Sequence, residues 1–346
     1  MQKRGMRVLI LTTLAVLCLT AAVAAVAQRL AVPASAPASS VAAPTGEPPV
    51  SVSAGPSSLP TSGSASASVA GPPSVSAMDR LAGPGSPADL DVMSFNLRYA
   101  SLDRPNSWAE RRPVTRALLT AERPDLIGTQ EGLAIQLRDI ESDLGADYDR
   151  IGVGRDPGGL SEHMEIFYNR TRLHLLRYSH FWLSETPDVP GSTSWNSHRV
   201  RMVTWALFED RQTGGRFYAV NTHLDNVSEP ARRHSAELIM NRLAAFAPVP
   251  IVLTGDFNSP AGPDSEVYRL LTVSAALHDT WDTPRRGPAW GTIHNYDPLI
   301  PDGERDDWIL TTPDVSAQAA LMNPYQVAGQ FPSDHLPIQA RLRLPT

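Results

Sequence analysis

Acidic, amide and imidazole side chains follow several short apolar stretches of this sequence, at the points where those stretches end. Asp256 comes directly after the run IVLTG, and His223 comes directly after AVNT. The full set comprises Asn96, Glu131, His223, Asp256, Asn258, Asp307, Asp334 and His335. A side chain at a strand end is held rigidly yet stays near the surface, which is where α/β folds place reacting groups. Each residue alone has an ordinary structural explanation, but the whole set indicates one polar reaction site.

Hard oxygen donors outnumber imidazoles in this set, which favours Mg²⁺ or Mn²⁺ over zinc. The only cysteine is Cys18, so the rest of the chain can form neither a disulfide nor a cysteine-based zinc site. The G-x-S-x-G motif of serine hydrolases does not occur in the sequence. These features favour direct attack by water over a covalent intermediate.

Strands and helices must carry the polar residues to one place. Apolar runs predict strands near residues 90–96, 126–128, 164–169, 203–208, 217–222, 250–254, 308–310 and 338–344. Helical periodicity predicts a helix whose first turn holds Pro113 and which stops before Pro124, and two more over residues 133–144 and 231–246. Helices that punctuate a mostly β chain favour two packed sheets with helices outside them.

The N-terminal region has the composition of a targeting segment followed by a tether. Lys3, Arg4 and Arg7 precede an almost purely apolar run up to residue 27, which predicts a signal peptide or an N-terminal membrane anchor. Residues 28–88 are rich in Ala, Pro, Ser and Gly and predict a disordered linker. The catalytic domain is then expected at residues 89–346. The protein is expected to be secreted or anchored to the outer face of the cytoplasmic membrane.

Six short motifs lie at the predicted strand ends. They are SFN (94–96), TQE (129–131), NTHLD (221–225), GDFN (255–258), DWI (307–309) and SDH (333–335). Together they resemble the endonuclease/exonuclease/phosphatase superfamily, which has a deoxyribonuclease-I-like fold. The stretches FWLSETPDVPG (181–191) and RMVTWA (201–206) resemble a bacterial secreted subgroup of it. The resemblance implies an α+β fold, a four-layer α/β/β/α sandwich.

The same resemblance implies a divalent-metal-dependent hydrolase that acts on phosphoester bonds. It assigns the metal to Asn96, Glu131 and Asp334, an oxygen-donor set that suits Mg²⁺ or Mn²⁺. Such a cation would bind a phosphate oxygen and stabilise the charge that builds there.

Acid–base roles follow from the chemistry of the remaining residues. Asp256 is the best candidate to orient or deprotonate the attacking water, and Asn258 could hold the phosphate with its amide. Asp307 is expected to fix the tautomer of His335, as a carboxylate does in hydrolytic triads. His223 is expected on the other side of the scissile group. Which histidine protonates the leaving group stays open at this point.

Two further residues are candidates for substrate contact. Glu162 and Arg201 both fall in stretches that resemble the subgroup. A phosphate-binding role suits Arg201, and its alternative is a strand-edge ion pair. The sequence departs from the family at Asp306, because an apolar residue is usual before Asp307.

The substrate has several chemical alternatives, since the same fold serves nucleic acids, sugar phosphates, inositol phosphates and phospholipid headgroups. The chain carries 30 Lys and Arg residues against 36 Asp and Glu residues, with no basic block. A nuclease acting on extracellular DNA or RNA is therefore an alternative that is not favoured. A non-catalytic surface binding module would have no need of the complete polar set. A monomer is expected, and the N-terminal segment could tether it to a membrane.

Overall fold

Two sheets of six strands each are present in residues 75–345, which are the residues that the structure, a computed structural model, describes. The strands are β1 (Asp89–Asn96), β2 (Leu126–Gly132), β3 (Tyr148–Ile151), β4 (His163–Asn169), β5 (Leu173–Trp182), β6 (Met202–Asp210), β7 (Arg216–His223), β8 (Ile251–Asp256), β9 (His278–Asp279), β10 (Asp307–Thr311), β11 (Ser316–Met322) and β12 (Ile338–Arg343). The helices are α1 (Ala77–Ala82), α2 (Trp108–Glu122), α3 (Ala134–Leu144), α4 (Glu229–Leu243) and α5 (Glu266–Arg269).

The first sheet has the order β11-β12-β1-β2-β4-β3, and the second has the order β5-β6-β7-β8-β10-β9. Three apolar clusters lie between the layers. Leu90, Phe208 and Ala340 belong to the cluster between the sheets. A second cluster joins α2 and α3 to the first sheet, and a third joins α4 and the segment after α5 to the second sheet. This arrangement confirms the α+β, four-layer α/β/β/α sandwich.

The inward faces of the strands change from apolar to polar along their length. Because side chains alternate between faces, Val252, Thr254 and Asp256 of β8 share the face that meets the other sheet. The same alternation carries Asn96 of β1 inward, and its Nδ2 donates to Asp256 Oδ2 at 2.9 Å. One end of the space between the sheets is therefore filled by apolar side chains, and the other end by reactive ones.

A layer of hydrogen-bonded side chains separates these two regions. Asn221 Oδ1 accepts from Gln130 Nε2 at 2.8 Å and from Thr254 Oγ1 at 3.1 Å. The sheets approach closely here because Gly128 has no side chain. A Cβ on Gly128 would lie 2.7 Å from Asn221 Oδ1 and still closer to Thr254 Oγ1. The layer joins both sheets directly beneath the reactive side chains.

The start of one helix and the number of strands both differ from the expectation. Pro113 lies inside α2 rather than in its first turn, because Ser107 and Glu110 form a capping box that begins the helix at Trp108. The strands β3, β5, β9 and β11 were not predicted. Their alternation is weak or their length short, and pairing with neighbouring strands defines them.

The expected linker ends too late in the chain. Residues 77–82 form α1, whose Met78 is 2% exposed and packs with Ala319 and Leu321 of β11. Arg341 of β12 donates to Asp79 Oδ1 and to the carbonyl oxygen of Gly83. The domain therefore begins before Asp89. The targeting segment and the rest of the linker lie outside the described residues.

Candidate active site

Strand register alone brings three of the predicted residues side by side. In the parallel pair β7–β8, His223 lies opposite Asp256, and in the antiparallel pair β10–β8, Asp307 lies opposite the same Asp256. All three are buried. The central strand thus carries Asp256 between an imidazole on one side and a second carboxylate on the other.

His335 joins this row from the segment that precedes β12. Its Nδ1 lies 2.9 Å from Asp307 Oδ2 and 4.0 Å from Asp256 Oδ2. With Nδ1 directed at Asp307, the ring leaves Nε2 as the nitrogen for a substrate. Burial alone would lower the pKa of His335, but the charge and hydrogen bond of Asp307, followed by Asp256 and Asp334, raise it well above its ordinary value. These contacts favour the protonated form of His335.

His223 has the opposite protonation preference. Burial, then the charges of Arg201, Arg155 and His335, lower its pKa well below the ordinary value. Its Nε2 lies 3.3 Å from Asp256 Oδ2, and its Nδ1 has no hydrogen-bond partner among residues 75–345. Nε2 therefore faces Asp256, and burial favours the neutral ring over one that carries a spare proton.

Asp256 sits in a pocket that disfavours its charge. Burial raises the pKa of its carboxyl group to about 7, the neighbouring Asp307 adds to this, and His335 and Asn96 oppose it. Its Oδ1 accepts from the backbone N–H of Asn258 at 2.9 Å. Asn258 has a left-handed backbone, with φ of 47°, and its Nδ2 donates to the carbonyl oxygen of Leu224. One N–H of that amide remains for a ligand.

Glu131 reaches the site through an irregularity in β2. Simple alternation would place it on the face opposite to Gln130, but the β2–β4 register shifts between Thr129 and Gly132. Glu131 itself has a φ of 61°, a conformation that is uncommon outside glycine. Its Oε1 accepts from Asn96 Nδ2 at 3.2 Å, and its Oε2 accepts from the backbone N–H of Tyr99. The bulge re-aims this carboxylate toward Asn96.

Asp334 lies beside the same loop, although no direct bond joins it to Glu131 among the described residues. Arg98 links the two sides, because its backbone N–H donates to Asn96 Oδ1 and its Nε lies 3.4 Å from Asp334 Oδ2. Asn96, Glu131 and Asp334 therefore lie around one loop, where Asn96 directs its Nδ2 to Glu131 and its Oδ1 accepts from the backbone of Arg98. Their role as metal ligands stays a prediction.

The residues fit a hard divalent cation on their chemistry. Four carboxylates, from Glu131, Asp256, Asp307 and Asp334, share one end of the sandwich, and burial, followed by the charge of Asp307, raises the pKa of Asp256. Ligand atoms of Asp256, Asp307 and His335 lie within 4.8 Å of one another, which offers a second cation position. A cation there would displace the hydrogen bond between His335 and Asp307. The Asn96 and Glu131 side is thus the better match for oxygen ligands.

Glu162 and Arg201 lie on the flank of the site near His223. Glu162 forms a two-point ion pair with Arg155, with N–O distances of 2.7 and 2.8 Å. Arg201 precedes β6 and is 5% exposed. Its Nη2 donates to Asn226 Oδ1 at 3.2 Å. The structure thus places both residues near the site, but it pairs Glu162 with an arginine.

Sequence reasoning missed three arginines at this end of the molecule. Arg155 and Arg98 make the ion pairs described above, and Arg111 donates to the carbonyl oxygens of Leu97, Arg98 and Tyr99. Arginine is common on surfaces, so its type carries no signal by itself. The stretch GRD at 154–156 was the available hint for Arg155, since it precedes Glu162 in the same loop.

The chain matches the endonuclease/exonuclease/phosphatase family over residues 93–335, a range that contains every polar residue of the site. The protein belongs to this family. Family members are hydrolases that cleave phosphoester bonds and depend on divalent metals, so the predicted enzyme class is confirmed.

Similar proteins are found among solved structures and curated sequences. An endonuclease/exonuclease/phosphatase from Bacteroides vulgatus is 36% identical, with a TM-score of 0.69, over 74% of this chain and 99% of that one. A mannosyl-6-phosphatase from Bacteroides thetaiotaomicron is 34% identical, with a TM-score of 0.68, over 73% and 99%. An uncharacterized protein of Acanthamoeba polyphaga mimivirus is 29% identical over 49% of this chain, and the match spans 66% of that protein.

Proposed function

We propose that this family member is a divalent-metal-dependent phosphoesterase that uses Mg²⁺ or Mn²⁺, acts outside the cytoplasm, and hydrolyses its substrate by direct attack of water. The observation that carries the proposal is the row formed by His223, Asp256 and Asp307 on three adjacent strands. Two residues from other elements bond to this row: Asn96 to Asp256, and His335 to Asp307. Such a row holds a base, an acid and their orienting partners in fixed positions.

The two histidines take different parts because their pKa values move apart. His335 holds a proton on each ring nitrogen at neutral pH, so its Nε2–H is the donor to the leaving oxygen. Asp307 keeps that ring oriented through Nδ1. His223 stays neutral and supports Asp256. This division supports His335 rather than His223 as the general acid.

Asp256 is the group that orients the water and takes its proton. A carboxyl pKa of about 7 lies near the operating pH, which suits a general base. The water oxygen forms the new bond to phosphorus, the bond from phosphorus to the ester oxygen breaks, and the proton of His335 moves to that oxygen. The products are an alcohol and a phosphate.

Asn96, Glu131 and Asp334 would hold the cation. When bound, it neutralises charge on a non-bridging phosphate oxygen and offsets the four carboxylates at this end of the sandwich. Arg98 and Arg111 hold the loop that follows β1, so the amide of Asn96 and the carboxylate of Glu131 keep their positions. Asn258 is placed to donate its free N–H to the phosphate.

Hydrolysis of two chromogenic esters tests the proposed function. Purified protein is assayed with p-nitrophenyl phosphate and bis-p-nitrophenyl phosphate in Mg²⁺, in Mn²⁺ and in EDTA. We expect turnover of at least one ester with either metal and its loss in EDTA. A folded protein that turns over no phosphoester with any divalent metal would support a binding module instead. Plasmid DNA and RNA in the same panel decide the nuclease alternative.

The location outside the cytoplasm rests on the sequence of residues 1–27. Among residues 75–345, no helix has both the length and the apolar composition that a membrane crossing requires. Expression of the full chain and of a form lacking residues 1–27 tests the location. We expect activity outside intact cells only for the full chain. Equal activity inside the cells for both forms would contradict export.

A further inference from the structure

Arg201 is a buried cation whose hydrogen-bonding capacity is only partly used. Its side chain is 5% exposed, and among residues 75–345 neither Nε nor Nη1 has a hydrogen-bond partner. A buried charged group whose donors lack hydrogen-bond partners costs free energy, and native structures rarely keep one without a reason. The guanidinium thus keeps donors without partners at Nε and Nη1, while its Nη2 donates to Asn226 Oδ1.

The acidic residues around Arg201 are already engaged elsewhere. Asp225 Oδ2 is 3.8 Å from Nε, beyond hydrogen-bond distance. The Asp225 carboxylate accepts from Ser197, Arg199, Val227 and Ser228. Both oxygens of Glu162 are bound by Arg155. Neither carboxylate therefore satisfies the donors at Nε and Nη1 of Arg201.

Strand pairing places Arg201 near the reacting groups. Val203 lies opposite Thr222 in the antiparallel β6–β7 pair, so Arg201 lies at the strand end where His223 emerges. The backbone carbonyl oxygen of Arg201 accepts from the N–H of Leu183, which fixes this position. The charge of Arg201 acts on both His223 and Asp256, as the pKa of His223 reflects. Arg201 therefore lies within electrostatic range of His223 and Asp256.

We propose that Arg201 recognises the third terminal oxygen of a phosphomonoester, which makes the site selective for monoesters over diesters. This inference rests on the proposed function. A monoester carries three non-bridging oxygens and close to two negative charges at neutral pH, whereas a diester carries two such oxygens and one charge. The cation side and Asn258 account for two of the non-bridging oxygens, and His335 serves the leaving oxygen. Arg201 supplies donors and charge for the third.

The test compares a monoester and a diester on one enzyme with matched variants. Arg201→Gln and Arg201→Lys are assayed with p-nitrophenyl phosphate and bis-p-nitrophenyl phosphate in Mg²⁺. Arg216→Gln is the control, because Arg216 lies at the far end of β7 in an exposed ion pair with Glu209. Titration calorimetry with inorganic phosphate in Mg²⁺ gives a readout that does not depend on turnover.

We expect the wild type to have the higher kcat/KM for the monoester. Arg201→Gln should lower this value by about 10- to 100-fold, the range for loss of hydrogen bonds to a charged group, and weaken phosphate binding by a similar factor. The diester value should change by less than about threefold, since a diester has no third oxygen to lose. Arg201→Lys should recover part of the phosphate binding, because it keeps the charge without the fork.

Several outcomes overturn the inference while leaving the proposed function in place. These are a wild type that prefers the diester, equal losses on both substrates, or unchanged monoester kinetics in Arg201→Gln. If the wild type turns over neither ester, the proposed function fails and phosphate binding still decides the inference. Equal phosphate affinity in wild type and variant overturns it. Where Arg201→Gln does not fold, Arg201→Lys is judged by the same selectivity and binding criteria.

Discussion

Opposite protonation of two neighbouring histidines is the main chemical feature at the residue scale. His335 and His223 flank the same carboxylate, Asp256, yet the pKa of His335 is raised well above its ordinary value and the pKa of His223 is lowered well below it. The difference comes from their partners, since Asp307 contacts the ring of His335 and two arginines act on His223. Sequence alone left their roles open, because both are histidines at strand ends.

Replacement of Asp307 by Asn should change the pH dependence of the reaction. Asp307 raises the pKa of His335, so its removal lowers that pKa, and the imidazolium is lost at a lower pH. We expect the alkaline limb of the kcat profile to move to lower pH. We also expect kcat at pH 7 to fall by about a hundredfold or more. Steady-state kinetics from pH 5 to 9 measure this, and an unchanged alkaline limb would contradict the assigned pair.

Asp306 is the residue at which the sequence departs from the family pattern. Its raised pKa predicts that the stability of the protein changes with pH. Burial, then Asp307 and Glu304, raise the pKa of its carboxyl group to about 6 in the folded protein, above its ordinary value near 3.8. The folded state therefore binds this proton more tightly, and the free energy of unfolding falls as pH rises from about 4 through 6. At pH 7 the ionised group has its full destabilising effect.

Asp306→Asn should therefore raise the free energy of unfolding at pH 7.5, by on the order of 1–3 kcal/mol, and change it little at pH 4. Urea unfolding in EDTA at both pH values measures the difference. An effect of the same size at both pH values would show that the charge of Asp306 is not its cause.

Two kinds of element position the site, and they differ in how much the sequence reveals. Regular strands bring His223, Asp256 and Asp307 together, and their alternation was visible in the sequence. The bulge at Glu131 and the left-handed turn at Asn258 were not visible, because neither position carries a glycine that would signal a positive φ. Both irregular positions hold side chains of the site.

Gly128→Ala tests whether close contact between the sheets is needed beneath the site. The new Cβ would crowd Asn221 Oδ1 and Thr254 Oγ1, which bond to each other across the layer. We expect a loss of about 1–3 kcal/mol in the free energy of unfolding, as for other overpacked positions. Gly215→Ala is the control, since its Cβ would lie 3.3 Å from Thr213 Oγ1 and 3.7 Å from the carbonyl oxygen of Pro345, without a close clash. Equal stability of both variants in urea would contradict the close approach.

The fold class and most site residues could be predicted because they depend on local pattern and motif. The strand positions followed from apolar alternation, and the order of polar residues at strand ends indicated a single site. The ion pair between Arg155 and Glu162 and the partly used hydrogen-bonding capacity of Arg201 could not be predicted. They depend on which side chains meet across loops, and no periodicity encodes that. The pKa values of the two histidines depend on the same tertiary contacts.

The boundary of the catalytic domain is the main feature at the scale of the whole molecule. Composition placed the boundary at Asp89, but α1 packs on β11 and bonds to Arg341. The segment that holds α1 contains only a few apolar residues, such as Met78 and Leu81, among Ala, Gly, Pro and Ser. Its order comes from burial against the sheet, which composition does not report.

Met78→Ala tests whether α1 belongs to the domain. Met78 is buried against Ala319 and Leu321, so truncation should lower the free energy of unfolding of the full chain by about 2 kcal/mol or more. Val75→Ala is the control, because Val75 is exposed and precedes the helix. Chemical unfolding of the two variants compares them. No loss on truncation of Met78 would place the domain boundary after α1.

The central claim is that residues far apart in the chain form one phosphoester-hydrolysing centre around Asp256. The most direct measurement is kcat for p-nitrophenyl phosphate in Mg²⁺ for Asp256→Asn, with Asp314→Asn as an exposed control. We expect Asp256→Asn to remain folded by thermal unfolding and to lose at least about a hundredfold in kcat, while the control matches the wild type. A folded Asp256→Asn with near wild-type kcat would contradict the claim.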